Sequence, residues 1–296
     1  WYWKSVVLET QQKYQDALHY CEKIIAMDAM NAIKEPFVNL VSLAWTEKAD
    51  IQNSLGEYEN ALESIDKSIS ITDESLTTNA LTIKGVIYQN LDNHEDALQC
   101  FEKALSFDGN NVVILNYKAV ELLSLGRFDE AEKCCRDIIV IDKFRSYAWA
   151  NLASIYLQNK RHFTKAFECS SISLFIDPDN AVGMELHAMA LMSFKKFNEA
   201  LDIIEQLIII DKGIRLSSVM MKAELLSTLN FKSKALECYD QILSKNILKG
   251  NELLLCLRKK SNLLYDTREY EKLLTVCNKI LAIDENNEEA LIGKCA

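Results

Sequence analysis

The chain has 296 residues, 49% hydrophobic and 26% charged, with a net charge of −10 at pH 7. So much apolar content excludes wholesale disorder, and the acidic balance argues against nucleic acid, whose affinity comes from neutralised phosphates. Two prolines and eight glycines are too few for turn-rich sheets, so the chain reads as all-α.

The elements repeat along the chain as helix, polar turn, helix. The first pair, residues 1–31, places Trp1 and Ser5 on its first helix, Tyr14 at the turn and Ala17 at the opening of the second helix. Residues 36–73 follow with Trp45, Ala49, Tyr58 and Ala61; the stretch from Ala29 to Ala44 is longer than elsewhere, with Pro36 suited to open a lengthened helix. Residues 78–111 carry Leu81, Gly85 and Ala97, with His94 where other copies have an aromatic. Residues 112–145 carry Leu115, Ala119, Phe128 and Ala131, and residues 146–180 carry Trp149, Ala153, Phe163 and Ala166 before Asp177-Pro178. Residues 181–214 hold Met184, Ala188, Phe197 and Ala200, and residues 215–247 hold Val219, Ala223, Phe231 and Ala235. After a polar connection from Asn246 to Asn251, residues 250–287 supply Leu257, Ser261, Tyr270 and Leu273, and residues 288–296 begin a ninth first helix.

Each slot has a packing reason. The large residue and the small one four later lie on one helical stripe, and the small residue lets the partner helix approach. An Asp closes most pairs (Asp28, Asp108, Asp142, Asp177, Asp211, Asp284) and is expected to cap the next helix. Lysines recur at one slot, Lys4, Lys48, Lys84, Lys118, Lys222 and Lys260, where their stems are expected to lie over the hairpin with the charge in water.

The period near 34 residues, with its aromatic, small, Ala and terminal Asp-Pro slots, resembles the tetratricopeptide repeat. The resemblance covers essentially the whole chain. It implies a right-handed α-solenoid superhelix of about eight hairpins, a single solenoid over residues 1–296. Both ends fall within a first helix, so a segment of a longer chain is expected.

No catalytic site emerges. Seven of nine cysteines, Cys21, Cys100, Cys134, Cys135, Cys169, Cys238 and Cys277, fall three or four residues into the second helices, a packing slot for a small hydrophobe. There is no Cys-x2-Cys pair. The four histidines are scattered, and no metalloprotease helix motif, nucleophile elbow or phosphate-cradling loop occurs. No cofactor and no metal are expected. An odd cysteine count without framework spacing suits a reducing compartment, and no signal peptide or run of roughly 18 apolar residues is present. An intracellular, cytoplasmic location without membrane insertion is therefore expected.

What remains is a surface. In the family the first helices line an inner groove. Rotating one residue past the packing stripe selects Asn116, Val120, Tyr147, Ser154 and Gln158, then Glu185, Met189, Met192, Met220 and Glu224, then Arg258 and Asn262. Earlier copies offer Thr46 and Asp50, then Asn79, Thr82 and Val86, then Val113. The Met and Tyr centre is apolar and adaptable, as a peptide groove would be. Glu185 and Glu224 are expected to favour a basic residue, and Arg258 with Asn262 an acidic group or terminus. The carboxylate clamp that holds chaperone tails in one branch of the family is disfavoured, because only Arg258 and Asn262 stand at matching slots. Charge is uneven: about twelve acids between Asp50 and Asp108 face three lysines, whereas Lys232 to Lys272 holds nine bases and six acids. The expected function is a protein–protein interaction scaffold gripping a partner peptide or helix; the alternative is a structural arm of a larger assembly or a regulatory domain.

Overall fold

A computed structural model describes residues 2–29, 38–71, 74–159, 162–213, 215–245 and 247–295. The expectations for Trp1, Pro36, Asn246 and the Asp28 side chain lie outside the described residues. Every regular element among the described residues is helical, and they form two compact units, residues 1–151 and 152–296.

The first unit stacks four antiparallel pairs: α1 (Tyr2–Thr10) with α2 (Tyr14–Ala29), α3 (Val38–Ser54) with α4 (Tyr58–Ile71), α5 (Glu74–Asn90) with α6 (His94–Phe107), and α7 (Val112–Ser124) with α8 (Phe128–Ile141). The opening of α9 (Ser146–Gln158) completes it. The second unit takes the rest of α9, α10 (Phe163–Ile176), α11 (Ala181–Ser193) with α12 (Phe197–Ile210), α13 (Leu216–Thr228) with α14 (Lys232–Ser244), α15 (Gly250–Thr267) with α16 (Tyr270–Ile283), and α17 (Glu288–Cys295). Within each unit a second helix also packs on the first helix that follows it, and successive first helices touch, as α3 does α5 and α15 does α17. No hairpin buries its apolar face alone; the stack does.

The repeat slots are the core. Ala17, Ala61, Ala97, Ala131, Ala166, Ala200, Ala235 and Leu273 are all buried, and so are Ser5, Ala49, Ala119, Ala153, Ala188, Ala223 and Ser261 four residues past the large slot. The tightest approach is at Gly85, where an added Cβ would stand 2.5, 2.7 and 2.9 Å from ring carbons of Phe101. Phe101 is fully buried and stacks on Tyr117 of α7, centroids 5.3 Å apart and planes 9° from parallel. The missing side chain of Gly85 is therefore the space that the Phe101 ring fills.

Two expectations need correction. The terminal Asp does not cap the next helix. Asp108, Asp177 and Asp284 end α6, α10 and α16, and an Asn three residues later does the capping. Asn111 Oδ1 accepts from the Val113 and Ile114 N–H groups, and Asn180 and Asn287 accept from Gly183 and Ala290. The Asp carboxylate instead orients that Asn, accepting its side-chain amide at 2.9 Å in the first case and 3.0 Å in the third.

The repeated lysines do not send their charge to water either. Lys48, Lys84, Lys118 and Lys222 reach Glu22, Asp66, Glu102 and Glu205 at 3.0, 2.6, 2.9 and 2.7 Å, and Lys260 meets Asp240. Each acid lies on the second helix of the preceding hairpin, five residues after its small opening residue. Lys4 is different: it sits over the ring of Tyr20, 4.6 Å from its centroid.

Candidate functional site

Each unit has a hollow lined largely by first helices. In the first unit, α5, α7 and the last turn of α6 line a groove of about 810 Å³. Thr78, Asn79 and Thr82 line it from α5, and Phe107, Asn111 and Val113 from the end of α6 and the start of α7. In the second unit a groove of about 280 Å³ lies along the C-terminal halves of α13 and α15, with Met192 at its rim and Tyr239 in its floor. A third hollow of about 440 Å³ lies between α12 and α14 on the second-helix side, where Lys222 and Glu205 form their ion pair.

The groove of the second unit brings together three of the expected residues, Met192, Glu224 and Asn262. Met189, one turn earlier on α11, is 41% exposed. Met220 is half-buried and packs against the core around Val219 and Leu257. Glu224 is bound to Lys259 at 3.0 Å, so the groove presents an ion pair rather than a lone carboxylate. Glu185 is occupied too: one of its oxygens accepts from the hydroxyls of Ser217 and Ser218 at 2.7 and 2.9 Å, tying α11 to α13. Arg258 forms a two-toothed pair with Glu289 of α17, at 2.8 and 2.6 Å. The guanidinium holds the Glu289 carboxyl below the usual carboxylate range.

In the first unit, Asn116 accepts from the Asn151 amide at 2.8 Å, and Val120 is half-buried. Tyr147 packs on Leu115, Ile138 and Ala148, and burial raises its phenol pKa. In the part of α9 that belongs to the second unit, Gln158 donates to Ser154 at 3.1 Å. Tyr147 belongs to the first unit and the three methionines to the second.

Three features escaped the sequence reading. His94 Nδ1 lies 2.8 Å from Oε2 of Glu121, and Glu121 is fully buried, its other oxygen without a partner. Burial pushes the Glu121 carboxyl up, while His94 pulls it down. Both residues are off-pattern: His94 stands in an aromatic slot and Glu121 in a slot filled elsewhere by Ile51, Ile87, Ile155 or Leu225. The second is an acidic packing point, where burial, then the neighbouring Glu9, raises the Glu47 carboxyl to about 8. The third is apolar exposure on second helices: Val140 in the first unit is 86% exposed, and Phe175 and Ile209 in the second are 87% and 76%.

Burial raises the Cys21 and Cys256 thiols to about 11, which makes these two poor nucleophiles. Among the described residues no three His, Cys, Asp or Glu side chains gather around a metal-sized space. No described helix is long and apolar enough to cross a membrane.

Known proteins match this geometry. Family models of the tetratricopeptide repeat match residues 43–74 and 78–111, and a domain of unknown function (DUF7017) matches residues 113–218. A tetratricopeptide repeat protein from Parabacteroides merdae is similar at 17% identity over 85% of this chain and 96% of its own, with a TM-score of 0.64. Cut9–Hcn1 of the APC/C is similar at 13% identity over 98% of this chain and 54% of that one, TM-score 0.70. Yeast Tom70 is similar at 15% identity over 95% and 57%, TM-score 0.63. Two of the helix pairs stacked through small-residue slots are matched by the repeat's own models, so the chain carries tetratricopeptide repeats within an all-α helical solenoid fold.

Proposed function

We propose that the chain is a protein-interaction scaffold that holds a peptide or helix of a partner against its first helices. Repeats of this family generally mediate protein–protein interaction or assembly. The observation that carries the reading here is the groove of the second unit, where Met192, Tyr239, the Glu224–Lys259 pair and Asn262 share one solvent-open hollow. An adaptable thioether beside an aromatic floor suits an apolar anchor, and the ion pair with its adjacent amide suits polar groups flanking it. Arg258 is engaged by Glu289 and Lys259 by Glu224, so the Asn262 amide is the group left to meet a polar flank of the partner.

The test begins with partner identification by affinity capture, followed by titration of the purified partner. Met189→Ala with Met192→Ala should weaken binding by about 2 kcal/mol, roughly thirtyfold. Unchanged affinity with a lowered melting temperature would reduce both residues to core. A second reading, an arm that docks other subunits by its outer face, is favoured by the exposure of Phe175 and Ile209. Phe175→Ser with Ile209→Ser separates the two, since it should leave groove binding intact and abolish outer-face docking.

A further inference from the structure

The net charge is not spread over the molecule. Residues 38–111 hold thirteen acids and only four bases, a net of −9 out of the chain's −10. Residues 112–151 balance six against six, and residues 152–296 nineteen against nineteen. Two of the four bases are ion-paired within the first unit, Lys48 with Glu22 and Lys84 with Asp66, and Lys67 lies 4.8 Å over the ring of Trp45. Acids such as Glu59, Glu63, Asp92 and Glu95 remain exposed. The field of hairpins α3–α6 is therefore strongly negative, and the groove of about 810 Å³ opens within it.

The groove lining mixes polar and apolar groups. Asn79 is exposed and shares the groove lining with Thr78 and Thr82, so one amide and two hydroxyl oxygens stand where a peptide backbone could exchange hydrogen bonds. Phe107 and Val113, 45% and 52% exposed, face the same space and can take the methylene stem of a long side chain. Asp108 and the carbonyl terminus of α6, the negative end of its dipole, stand in the same lining. The opposing positive end, the first turn of α7, is already capped by Asn111.

We infer that the α5–α7 groove of the first unit is a docking site for an extended segment bearing lysine or arginine, steered in by the charge of hairpins α3–α6 and seated with its cation toward Asp108. The inference rests on the scaffold reading above and extends it to a different groove. Electrostatic complementarity of this kind sets partner choice and association rate more than raw affinity.

The experiment uses the full chain and two labelled probes followed by fluorescence anisotropy: a peptide of three Lys-Ala-Leu repeats and its Glu-Ala-Leu counterpart. The lysine probe should bind at least about tenfold more tightly, with the difference shrinking as salt is raised. Asn79→Lys with Val113→Lys adds two positive charges at exposed groove positions and should weaken the lysine probe by about tenfold or more. Glu59→Gln with Glu63→Gln makes the same net charge change on α4 and should weaken it less than about threefold. Equal binding of both probes overturns the inference. So does equal loss in the two double variants, which would mean diffuse attraction to an acidic surface only. Met189→Ala with Met192→Ala removes any capture of the probes' leucines by the second-unit groove, and the preference for lysine over glutamate should persist in that variant, so failure of the second-unit groove registers separately.

Discussion

Replacing Gly85 by alanine sets two effects of known sign against each other. In a helix interior alanine is worth about 1 kcal/mol over glycine, so at an ordinary position on α5 the substitution would stabilise. Here the new methyl would meet three ring carbons of Phe101 at 2.5–2.9 Å, about 1 Å inside normal carbon contact. The ring cannot yield cheaply, because it is fully buried and stacked on Tyr117. Overpacking of a well-filled core costs about 1–3 kcal/mol. Since the clash involves several rigid atoms, we take the upper half and expect net destabilisation of about 1–2 kcal/mol. A repeat array need not unfold in one step, so hydrogen exchange is the assay: amides of α5, α6 and α7 should open more readily while α13–α16 stay unchanged. Phe101→Leu should relieve the clash, giving a Gly85→Ala, Phe101→Leu double variant a favourable coupling of about 1 kcal/mol. If Gly85→Ala alone were more stable than the parent, the ring would not be the reason for the glycine.

Three further outcomes follow from the same packing. His94→Phe restores the aromatic of the other repeats but strands the buried Glu121, and should cost about 3 kcal/mol in urea unfolding; adding Glu121→Leu should recover most of it. A double-mutant cycle on Lys84 and Asp66 should give no more than about 0.5 kcal/mol of coupling, vanishing near 1 M salt, because Asp66 is 58% exposed. The raised Glu47 carboxyl works in the opposite sense to a salt-bridged acid. Its proton stabilises the folded state below the ordinary value of 4.5, and that contribution is lost as pH rises through about 8. The urea midpoint of the first unit should therefore fall between pH 5 and 9, and Glu47→Gln should flatten the profile; a midpoint that rises would contradict the shift.

Helices, period and core slots were legible because each hairpin writes them again. Ala17, Ala61, Ala97 and their successors announce themselves by spacing, and every one is buried. What one copy cannot show is what its neighbour supplies. The lysine slot looked like a solvated edge when read along one hairpin, yet its carboxylate comes from the hairpin before. Asp108 looked like a cap until Asn111 was seen three residues on. His94 and Glu121 were visible as departures from pattern, but 27 residues apart nothing in the sequence joins them; only the stacking of α6 on α7 does. Among candidate groove residues, Glu185 and Arg258 were placed by rotation alone, which says where a side chain starts but not which neighbour has already taken it.

The lysine–carboxylate ladder bears on how such a chain can be cut and lengthened. Removing α5 and α6 would bring Lys118 to Asp66, and the junction would close with the same chemistry it had before. At two places the series changes: Leu152 and His187 occupy the lysine slot, and Arg136 and Ser171 occupy the acid slot ahead of them. Removing α11 and α12 would set Lys222 against Ser171, with no carboxylate to receive it. Hairpins that share the pair are interchangeable parts, whereas those around α9 and α11 fit only the neighbours they have.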